Sequence, residues 1–534
     1  MQLIPTSLLL FLFVLISPVP YLSAQIRFGA ETLDSIVFGD RQRAIRMHQF
    51  PERVSGNNYD VKWYRCRWSV DPAIRAITGD VTILFEIAGT PPDSITIDLH
   101  NNLIVDGILM NGVPSTWRHS GHRIQIPYPP SLTPAGPDSV RILYHGTPPE
   151  EDDGAFVQSD HQGTPILWTL SQPYGSSLWW PCKDGLTDKA DSVEIILDVP
   201  TGYSTASNGM PTSVTNAGNR KVFRWQHRYP IVPYLVCFSV TNYVVFQQTI
   251  QSGGRELLFV NYVYPEDTAE AKTRFGQAIP MLHLFDSLFG VYPFRDEKYG
   301  QAQFGRGGGM EHQTMTFLDG FGYELMAHEL AHQWFGNMNT CGSWGDIWLN
   351  EGFATYLSGL CYEFLAPEFW KRFREVRVKS IVTQPGGSVY CTDTTSIDRI
   401  FDGRLSYAKG AMILHQLRWI MGDSSFFKAL HNYLNDPELT FGFARTAHLK
   451  HHLEEACLCD LTWYFNDWFT GEGYPSYTLK WQQQENLVTL TLDQVQSHPS
   501  VYFFELPVPV RLKGSGGDTI IRLEIGRASC RERV

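Results

Sequence analysis

Two histidines four residues apart, His328 and His332, have the spacing of metal ligands on one helix face. Residues i and i+4 of an α-helix lie one turn apart on the same side, so both imidazoles can bind one ion. Glu329, next to His328, can reach a water molecule on that ion rather than the ion itself. A His-Glu-x-x-His pattern also occurs by chance in helices whose histidines are only buried and hydrogen-bonded, so the pattern alone leaves both interpretations open.

Glu351 is a candidate third ligand, because it is expected to begin the next helix, in the segment Trp348-Leu-Asn-Glu-Gly-Phe-Ala354. An antiparallel helix pair would bring its carboxylate to the same ion. Two histidines, one carboxylate and an open position for water are typical of catalytic zinc, whereas structural zinc has four protein ligands. A carboxylate in the first turn of a helix is also favoured by the helix dipole, and one residue can have both roles. The sequence therefore predicts one Zn²⁺ per chain that activates a water for amide hydrolysis, with Glu329 as the general base.

The composition narrows the classes of protein to which such a site can belong. Of 534 residues, 43% are hydrophobic and 18% are charged, which indicates a globular chain of several domains rather than a disordered one. The formal net charge of −12 and the lack of a basic run argue against a nucleic-acid partner. The cysteines form no Cys-x-x-Cys pair, so Cys457-Leu-Cys459 is interpreted as structural rather than as a metal clip. His448, His451 and His452 are interpreted as helix-surface histidines rather than a second metal site.

The type of secondary structure that the sequence predicts changes along the chain, and the metal ligands lie in its helical part. From Tyr59 to about Tyr243, apolar and polar residues alternate in short stretches bounded by Gly, Pro and Asp, which predicts antiparallel β-structure. From Thr268 to about Trp468 helical spacing dominates, and alternation returns after Pro475. The predicted helices, two of which carry the metal ligands, cover residues 268–288, 321–335, 351–364, 407–421 and 444–456.

These patterns predict an α+β multidomain chain. Its order is a β-rich N-terminal domain at 25–250, an α-rich catalytic domain at 251–470 and the start of a further β domain at 471–524. Residues 525–534 resemble the translation of a common sequencing adapter. We therefore expect the natural protein to continue beyond Glu524 and this chain to be a C-terminally truncated fragment.

Residues 1–24 are expected to be a secretory signal peptide. An unbroken apolar run from Leu8 to Ile16 is followed by two prolines and by Ser23-Ala24, small residues suited to cleavage, although no Lys or Arg precedes the run. An uncleaved N-terminal anchor is the alternative interpretation. The run is too short to span a bilayer, and no later run is long enough to do so. We expect an exported protein, periplasmic or secreted, with no transmembrane helix in the mature chain.

The segments His328–Asn337 and Trp348–Ala354 together resemble the gluzincin aminopeptidases of the M1 type, the family that includes aminopeptidase N and leukotriene A4 hydrolase. The resemblance covers nearly the whole mature chain. It implies a saddle-like β-rich N-terminal domain, a thermolysin-like catalytic domain and the start of a β-sandwich. The helical C-terminal domain of the family is expected to be missing from this chain.

A second family motif is found upstream. Gly308-Gly-Met-Glu-His312 resembles the exopeptidase motif of the family, with His312 in place of the usual Asn. The resemblance implies that Glu311 binds the free α-ammonium group of the substrate and so places the first peptide bond over the zinc. The glycines of the motif allow a close approach of backbone and substrate. The residues expected to line this part of the substrate pocket are Gly308, Gly309 and Met310.

Two further residues are assigned by the same resemblance. Ser406-Tyr-Ala-Lys-Gly-Ala411 is similar to the family segment whose Tyr hydroxyl stabilises the tetrahedral intermediate, which implies that Tyr407 is an oxyanion donor. On composition alone, this Tyr would be read as a packing residue at the start of a helix. The segment Thr169–Pro173 resembles the N-terminal stretch that contributes a Glu or Gln to the amine pocket, which implies that Gln172 lies there.

The resemblance implies a zinc aminopeptidase that acts on peptides with a free N-terminus. A thermolysin-like endopeptidase is the nearest alternative, and it would need neither Glu311 nor Gln172. A catalytically silent binding homologue is a further alternative. The complete set of metal ligands, general base and Tyr407 argues against a silent homologue.

Overall fold

The computed structural model describes residues 58–129, 136–149, 155–305, 307–485, 487–514 and 517–525. The predicted signal peptide and residues 526–534 of the predicted adapter sequence lie outside these ranges. Within the described ranges, no helix is both long enough and apolar enough to cross a bilayer.

The first region is built from three sheets. An eight-stranded sheet has the order β13-β14-β11-β1-β2-β8-β4-β5, and smaller sheets have the orders β3-β7-β6 and β12-β15-β10-β9. The strands are β1 Tyr59–Asp71, β2 Ile74–Ile87, β3 Ser94–Asp98, β4 Leu103–Met110, β5 Val113–Pro114, β6 Arg118–Ser120, β7 Arg123–Pro127, β8 Asp138–Gly146, β9 Phe156–His161, β10 Thr164–Thr169, β11 Ser192–Pro200, β12 Ser204–Ser207, β13 Met210–Ala217, β14 Arg220–His227 and β15 Phe238–Thr241. The predicted β-rich character of this region is confirmed. In the large sheet, β1 pairs in parallel with β11 and antiparallel with β2.

An aromatic cluster forms the centre of this region. Trp68 on β1 faces inward, with its ring centroid 4.7 Å from that of Trp179 and 5.9 Å from that of Trp180. The indole nitrogen of Trp68 donates to the Tyr144 hydroxyl at 3.0 Å, and that hydroxyl donates to the Trp179 carbonyl at 2.9 Å. Large buried rings contribute much apolar area, and here the Trp68 indole and the Tyr144 hydroxyl are also hydrogen-bonded.

A further sheet, of five strands, begins the predicted catalytic region, with the order β16-β17-β18-β20-β19. Its strands are β16 Val244–Ser252, β17 Arg255–Val263, β18 Lys298–Gln303, β19 Gly309–Met310 and β20 Met315–Leu318. The predicted boundary between residues 250 and 251 falls inside β16. Because β16 pairs with β17 and β15 pairs with β12, the sheet pairing changes between Thr241 and Val244, near Tyr243, where the predicted alternation ends.

Helices pack around this sheet and continue to residue 470. The helices are α1 Thr268–Arg274, α2 Ala278–Phe289, α3 Tyr323–Ala331, α4 Trp348–Leu365, α5 Trp370–Ile381, α6 Ile397–Ile400, α7 Gly410–Met421, α8 Asp423–Leu434, α9 Thr446–Cys457 and α10 Thr462–Tyr464. Wider π-helical turns cover Gly403–Lys409 and Phe465–Thr470, and the short strands β21 Thr340–Cys341 and β22 Phe443–Ala444 pair in parallel. The single helix predicted for 268–288 is interrupted by a 3₁₀ turn at Phe275–Gln277, where Phe275 packs edge-on against Phe321.

Helix α9 ends at a disulfide and carries one buried histidine. Cys457 and Cys459 form a disulfide, with the exposed Leu458 between them at a φ of +55°, so this pair is structural, as interpreted. The interpretation of all three α9 histidines as surface residues is wrong for His452. Its side chain is buried against Tyr433 and pairs with Asp436.

The last region consists of two hairpins. The strands β23 Pro475–Gln484 and β24 Leu487–Gln496 pair antiparallel, and so do β25 Leu506–Gly514 and β26 Gly517–Ile525. Trp468 at the end of the helical region packs against Phe504, which joins the hairpins to the catalytic core.

Candidate active site

The helices α3 and α4 bring the predicted metal ligands together. His328 lies on the last turn of α3, His332 is the residue that ends this helix, and Glu351 is in the first turn of α4. The start of α3 is held by a buried ion pair between Glu324 and the Arg377 guanidinium of α5. Two helix ends and a buried ion pair therefore fix the three ligands before any metal binds.

The three donor atoms have the separations that tetrahedral zinc requires. The Nε2 atoms of His328 and His332 are 3.1 Å apart, and they lie 3.3 Å and 3.4 Å from Oε2 of Glu351. With zinc–ligand distances near 2.0–2.1 Å, the edges of a tetrahedron are about 3.3–3.4 Å. All three side chains are buried. The donor types and their spacing fit one zinc ion, and this cluster is one of two metal-type groupings in the described residues.

A backbone turn orients the imidazole of His332. Its Nδ1 lies 3.1 Å from the Phe335 carbonyl, which can only accept a hydrogen bond, so the proton is on Nδ1 and the Nε2 lone pair faces the cluster. Gly336 follows at a φ of +133°, and a Cβ there would lie 2.9 Å from Nδ1 of His332. Only glycine fits this turn without displacing the ligand.

The electrostatics of the cluster favour a cation. Burial by itself raises the pKa of the Glu351 carboxyl, but His332 and His328 outweigh burial and lower its pKa to about 2. Burial likewise lowers the pKa of the His332 imidazole, but the neighbouring carboxylates, Glu351 first among them, reverse this and raise its pKa to about 10. The buried carboxylates thus stabilise positive charge on His332, whereas burial lowers the pKa of the His328 imidazole to about 4. A divalent metal ion would supply the positive charge in place of a proton.

Glu329 lies between the metal ligands and the strand β19. A Cβ on Gly309 would lie 2.4 Å from Oε1 of Glu329, so the absence of a side chain at Gly309 makes room for this carboxylate. Gly308 has a φ of +91°, a conformation that other residues rarely adopt. The two glycines thus shape the wall beside Glu329, a packing role in addition to the predicted approach to substrate.

Glu311 is held in the same pocket from two sides. Gln172, which lies 139 residues earlier, donates from Nε2 to Oε1 of Glu311 at 2.8 Å. The Asn337 side chain donates to the backbone carbonyl of Glu311 at 2.7 Å. Ligand-type atoms of Glu311, Glu329 and His332 lie within 4.8 Å of one another. The structure therefore brings Gln172, Glu311 and the metal ligands into one buried site.

Part of this chain is similar to proteins of a known family. Residues 322–468 match the model of the peptidase family M1 domain. A variant of a two-domain M1 zinc metallopeptidase bound to L-tryptophan is similar in structure, with a TM-score of 0.68 and 27% identity over 76% of this chain and 93% of that chain. Residues 322–468 of this chain thus form a peptidase family M1 domain.

Sequence relatives of this chain include an aminopeptidase and a protease-interacting factor. Tricorn protease-interacting factor F2 of Thermoplasma volcanium is 26% identical over 70% of this chain and 49% of its own length. Glutamyl aminopeptidase of Rattus norvegicus is 29% identical over 68% of this chain and 40% of its own length. A Deinococcus radiodurans M1 zinc metallopeptidase variant bound to a Tyr-Ser-Ala substrate has a TM-score of 0.67 and 26% identity, covering 76% of this chain and 93% of that chain. The chain thus spans half or less of these two sequence relatives.

Tyr407 lies beside His328, the first predicted metal ligand. Its ring is stacked on that of His328, with centroids 5.9 Å apart and an interplanar angle of 14°. The residue belongs to the π-helical turn Gly403–Lys409, which Asp402 begins by accepting hydrogen bonds from two backbone N–H groups. Sequence periodicity placed Tyr407 at the start of an ordinary helix. The wider turn was not predicted, because one inserted residue leaves the apolar spacing almost unchanged.

His312, the departure from the family motif, is buried next to Glu311. Its ring packs edge-on against Phe317 at 4.5 Å, and its carbonyl accepts a hydrogen bond from the Met315 N–H at 2.9 Å. Asn337 is a site residue to which the sequence assigned no role, although it lies within the quoted family segment. A polar residue directly after a metal-binding helix was the available signal, but its burial is visible only in the fold.

Proposed function

We propose that this chain carries the catalytic machinery of a zinc-dependent aminopeptidase that releases N-terminal residues from peptides. The observation that carries the proposal is the position of Glu311. Its carboxylate lies in the same buried cluster as Glu329 and His332 and is held by Gln172. A fixed anion beside the reacting site binds an α-ammonium group and excludes longer chains on that side, whereas an endopeptidase has no need of it.

The protein's residues would divide the hydrolysis among them. His328, His332 and Glu351 would hold zinc, which when bound would supply a Lewis acid that polarises the scissile carbonyl and acidifies water. Glu329 takes the proton from the attacking water and delivers it to the leaving amine. The Tyr407 hydroxyl donates a hydrogen bond to the oxygen on which negative charge develops.

Recognition of the N-terminus would come from Glu311 and Gln172. The carboxylate of Glu311 pairs with the α-ammonium group, and the Gln172 amide keeps that carboxylate in place. Gly308, Gly309 and Met310 form the adjoining backbone wall. A free amine would therefore bind with its first peptide bond next to Glu329, and an acetylated amine would lose the ion pair.

The test is hydrolysis of a panel of aminoacyl-anilides and of their N-acetylated counterparts, with and without a zinc chelator. We expect cleavage of the free amines only, abolished by the chelator and restored by Zn²⁺. Equal cleavage of acetylated peptides would establish an endopeptidase instead. A protein that contains zinc and cleaves neither substrate would be a silent binding homologue.

We also propose that the protein is exported and that its described residues form three domains. Support for export is the apolar run of residues 8–16 with its small-residue cleavage point. Support for the domains is the change of sheet near residue 243 and the change from helices to hairpins near residue 471. Sequencing the N-terminus of the mature protein and limited proteolysis would test the two points separately.

A further inference from the structure

Lys189 is a buried lysine where the first region meets the metal-binding helix. It lies between β10 and β11, and its side chain reaches 148 residues ahead in the chain. The ammonium Nζ donates to the Asn337 carbonyl at 2.8 Å and to the Met338 carbonyl at 3.0 Å. Both carbonyls belong to the turn that follows His332. One cation therefore holds the end of the metal-binding segment from outside the catalytic region.

The surroundings of Lys189 disfavour its charged form. Burial lowers the pKa of Lys189 to about 7. Among the described residues no carboxylate lies within ion-pair distance of its ammonium. Lys183 is buried to a similar extent but pairs with Asp188 at 2.9 Å. Its other neighbour is the Phe443 ring, whose centroid lies 5.5 Å from Nζ. A buried ammonium without a carboxylate partner is costly, so the carbonyls to which it donates indicate its role.

Asn337 connects the ammonium to the proposed amine pocket. The backbone of Asn337 is held by Lys189 at its carbonyl and by a hydrogen bond of its N–H to the His332 carbonyl at 2.9 Å. The side chain of the same residue donates to the Glu311 carbonyl at 2.7 Å. Two hydrogen bonds in sequence thus join Lys189 to Glu311, and a shift of Asn337 would move Glu311.

We propose that Lys189 is a positioning residue that fixes Glu311 through Asn337 and so sets the preference for substrates with a free α-amine. The inference rests on the proposed aminopeptidase function. It assigns to the first region a second contribution to the amine pocket, in addition to Gln172. The carbonyls that accept hydrogen bonds from Lys189 belong to Asn337 and Met338, neither of which is a predicted metal ligand.

The test is kinetic coupling between Lys189 and Glu311. In otherwise wild-type protein, Lys189→Met is expected to lower kcat/KM for a free-amine aminoacyl-anilide by about 10–100-fold, the range for outer hydrogen-bond partners, chiefly through KM. Zinc content measured by mass spectrometry should stay at about one ion per chain, as for a site whose ligands are unchanged. In a Glu311→Gln background the same change should cost less than about twofold, because the two residues act as one unit.

Three further variants complete the experiment. Asn337→Asp replaces the donor to Glu311 by an acceptor at almost the same volume, so it breaks the second link even if Lys189→Met does not fold. Lys189→Arg keeps a cation with N–H donors and should recover most of the lost kcat/KM. Lys183→Met removes a buried lysine of the same region and should lower the melting temperature without changing the preference for free amines.

The outcomes separate the two proposals. Equal losses from Lys189→Met with and without Glu311 would show that Lys189 has only a structural role and would overturn the inference. Unchanged KM in both Lys189→Met and Asn337→Asp would do the same. Failure of the wild-type protein to cleave any free-amine substrate would instead count against the proposed function.

Discussion

Two helices of this protein carry histidines four residues apart, but they use them differently. On α3, the Nε2 atoms of His328 and His332 lie 3.1 Å apart, and both face the carboxylate of Glu351. On α9, His448 and His452 have the same spacing. In the described part of the chain only the α3 pair belongs to a cluster with metal-ligand geometry.

The α9 histidines are each committed to a different local interaction. His448 accepts a hydrogen bond at Nδ1 from the Arg445 N–H, at the start of the helix. His452 pairs through Nε2 with Asp436 at 2.9 Å. His451 is exposed and lies 3.4 Å from Glu455 on its own helix. Three separate partners hold the three rings apart.

The difference shows that histidine spacing is necessary but not sufficient for a metal site. The α3 pair is buried and shares one carboxylate from a second helix. His448 and His452 on α9 have different hydrogen-bond partners, although His452 is buried as well. Burial also excludes the water that would otherwise solvate the carboxylate. A buried carboxylate without another partner is therefore stabilised by a cation. Shared burial around one carboxylate therefore separates the two sites.

Loss of a histidine ligand on α3 is expected to have the largest effect on metal binding. His332→Ala should lower zinc affinity by more than about 100-fold, beyond the effect of losing an outer hydrogen bond, and hydrolytic activity should disappear with the metal. His452→Ala should leave zinc content and activity unchanged. Metal analysis of both purified variants after dialysis against a chelator is the measurement. Loss of zinc from the His452 variant would show that α9 also binds the ion.

The next effect separates metal binding from chemistry. Glu329→Gln removes the proposed general base but no ligand, so kcat should fall by about 10²–10⁴-fold while zinc content stays unchanged. Stopped assays with an aminoacyl-anilide, together with metal analysis, provide the comparison. A variant that keeps its kcat would rule out Glu329 as the base.

A smaller effect is expected from the turn that orients His332. Gly336→Ala places a Cβ against Nδ1 of this ligand and should weaken zinc binding by about 10–100-fold. Gly422→Ala, also at positive φ but with no atom within 4 Å of the added Cβ, is the matched control for backbone strain. Competition with a fluorescent chelator measures both. Equal affinities would mean that the turn does not position the ligand.

Loss of the buried histidine on α9 is expected to have the smallest effect, and only on stability. His452→Ala removes the partner of Asp436 and should lower the free energy of unfolding by about 1–3 kcal/mol, as for a buried hydrogen bond broken on one side. Urea unfolding followed by tryptophan fluorescence measures it. The same change at the exposed His451 is the control and should be nearly neutral. Similar losses at both positions would contradict the structural role of His452.

Much of the fold and of the metal site was predictable because it depends on local patterns. The helices that carry His328, His332 and Glu351 follow from apolar spacing, and the ligand set follows from their separation along the chain. The contact of Gln172 with Glu311 was anticipated only through resemblance to a family, since 139 residues separate them. The π-helical turn at Tyr407 and the break in the helix predicted for 268–288 were missed, because tertiary packing selects among backbone turns of similar local energy.

The amino-acid sequence alone establishes which side chains can share a helix face and which potential ligands have the spacing of a metal site. It could not distinguish the α3 pair from the α9 pair on spacing alone. Only the tertiary structure decided that Glu351 reaches one pair, and that Lys189 and Asn337 support Glu311 from behind. The physical reason is that helix spacing is set within one turn, whereas burial and shared partners arise from segments that are distant in the chain and meet only in the folded core.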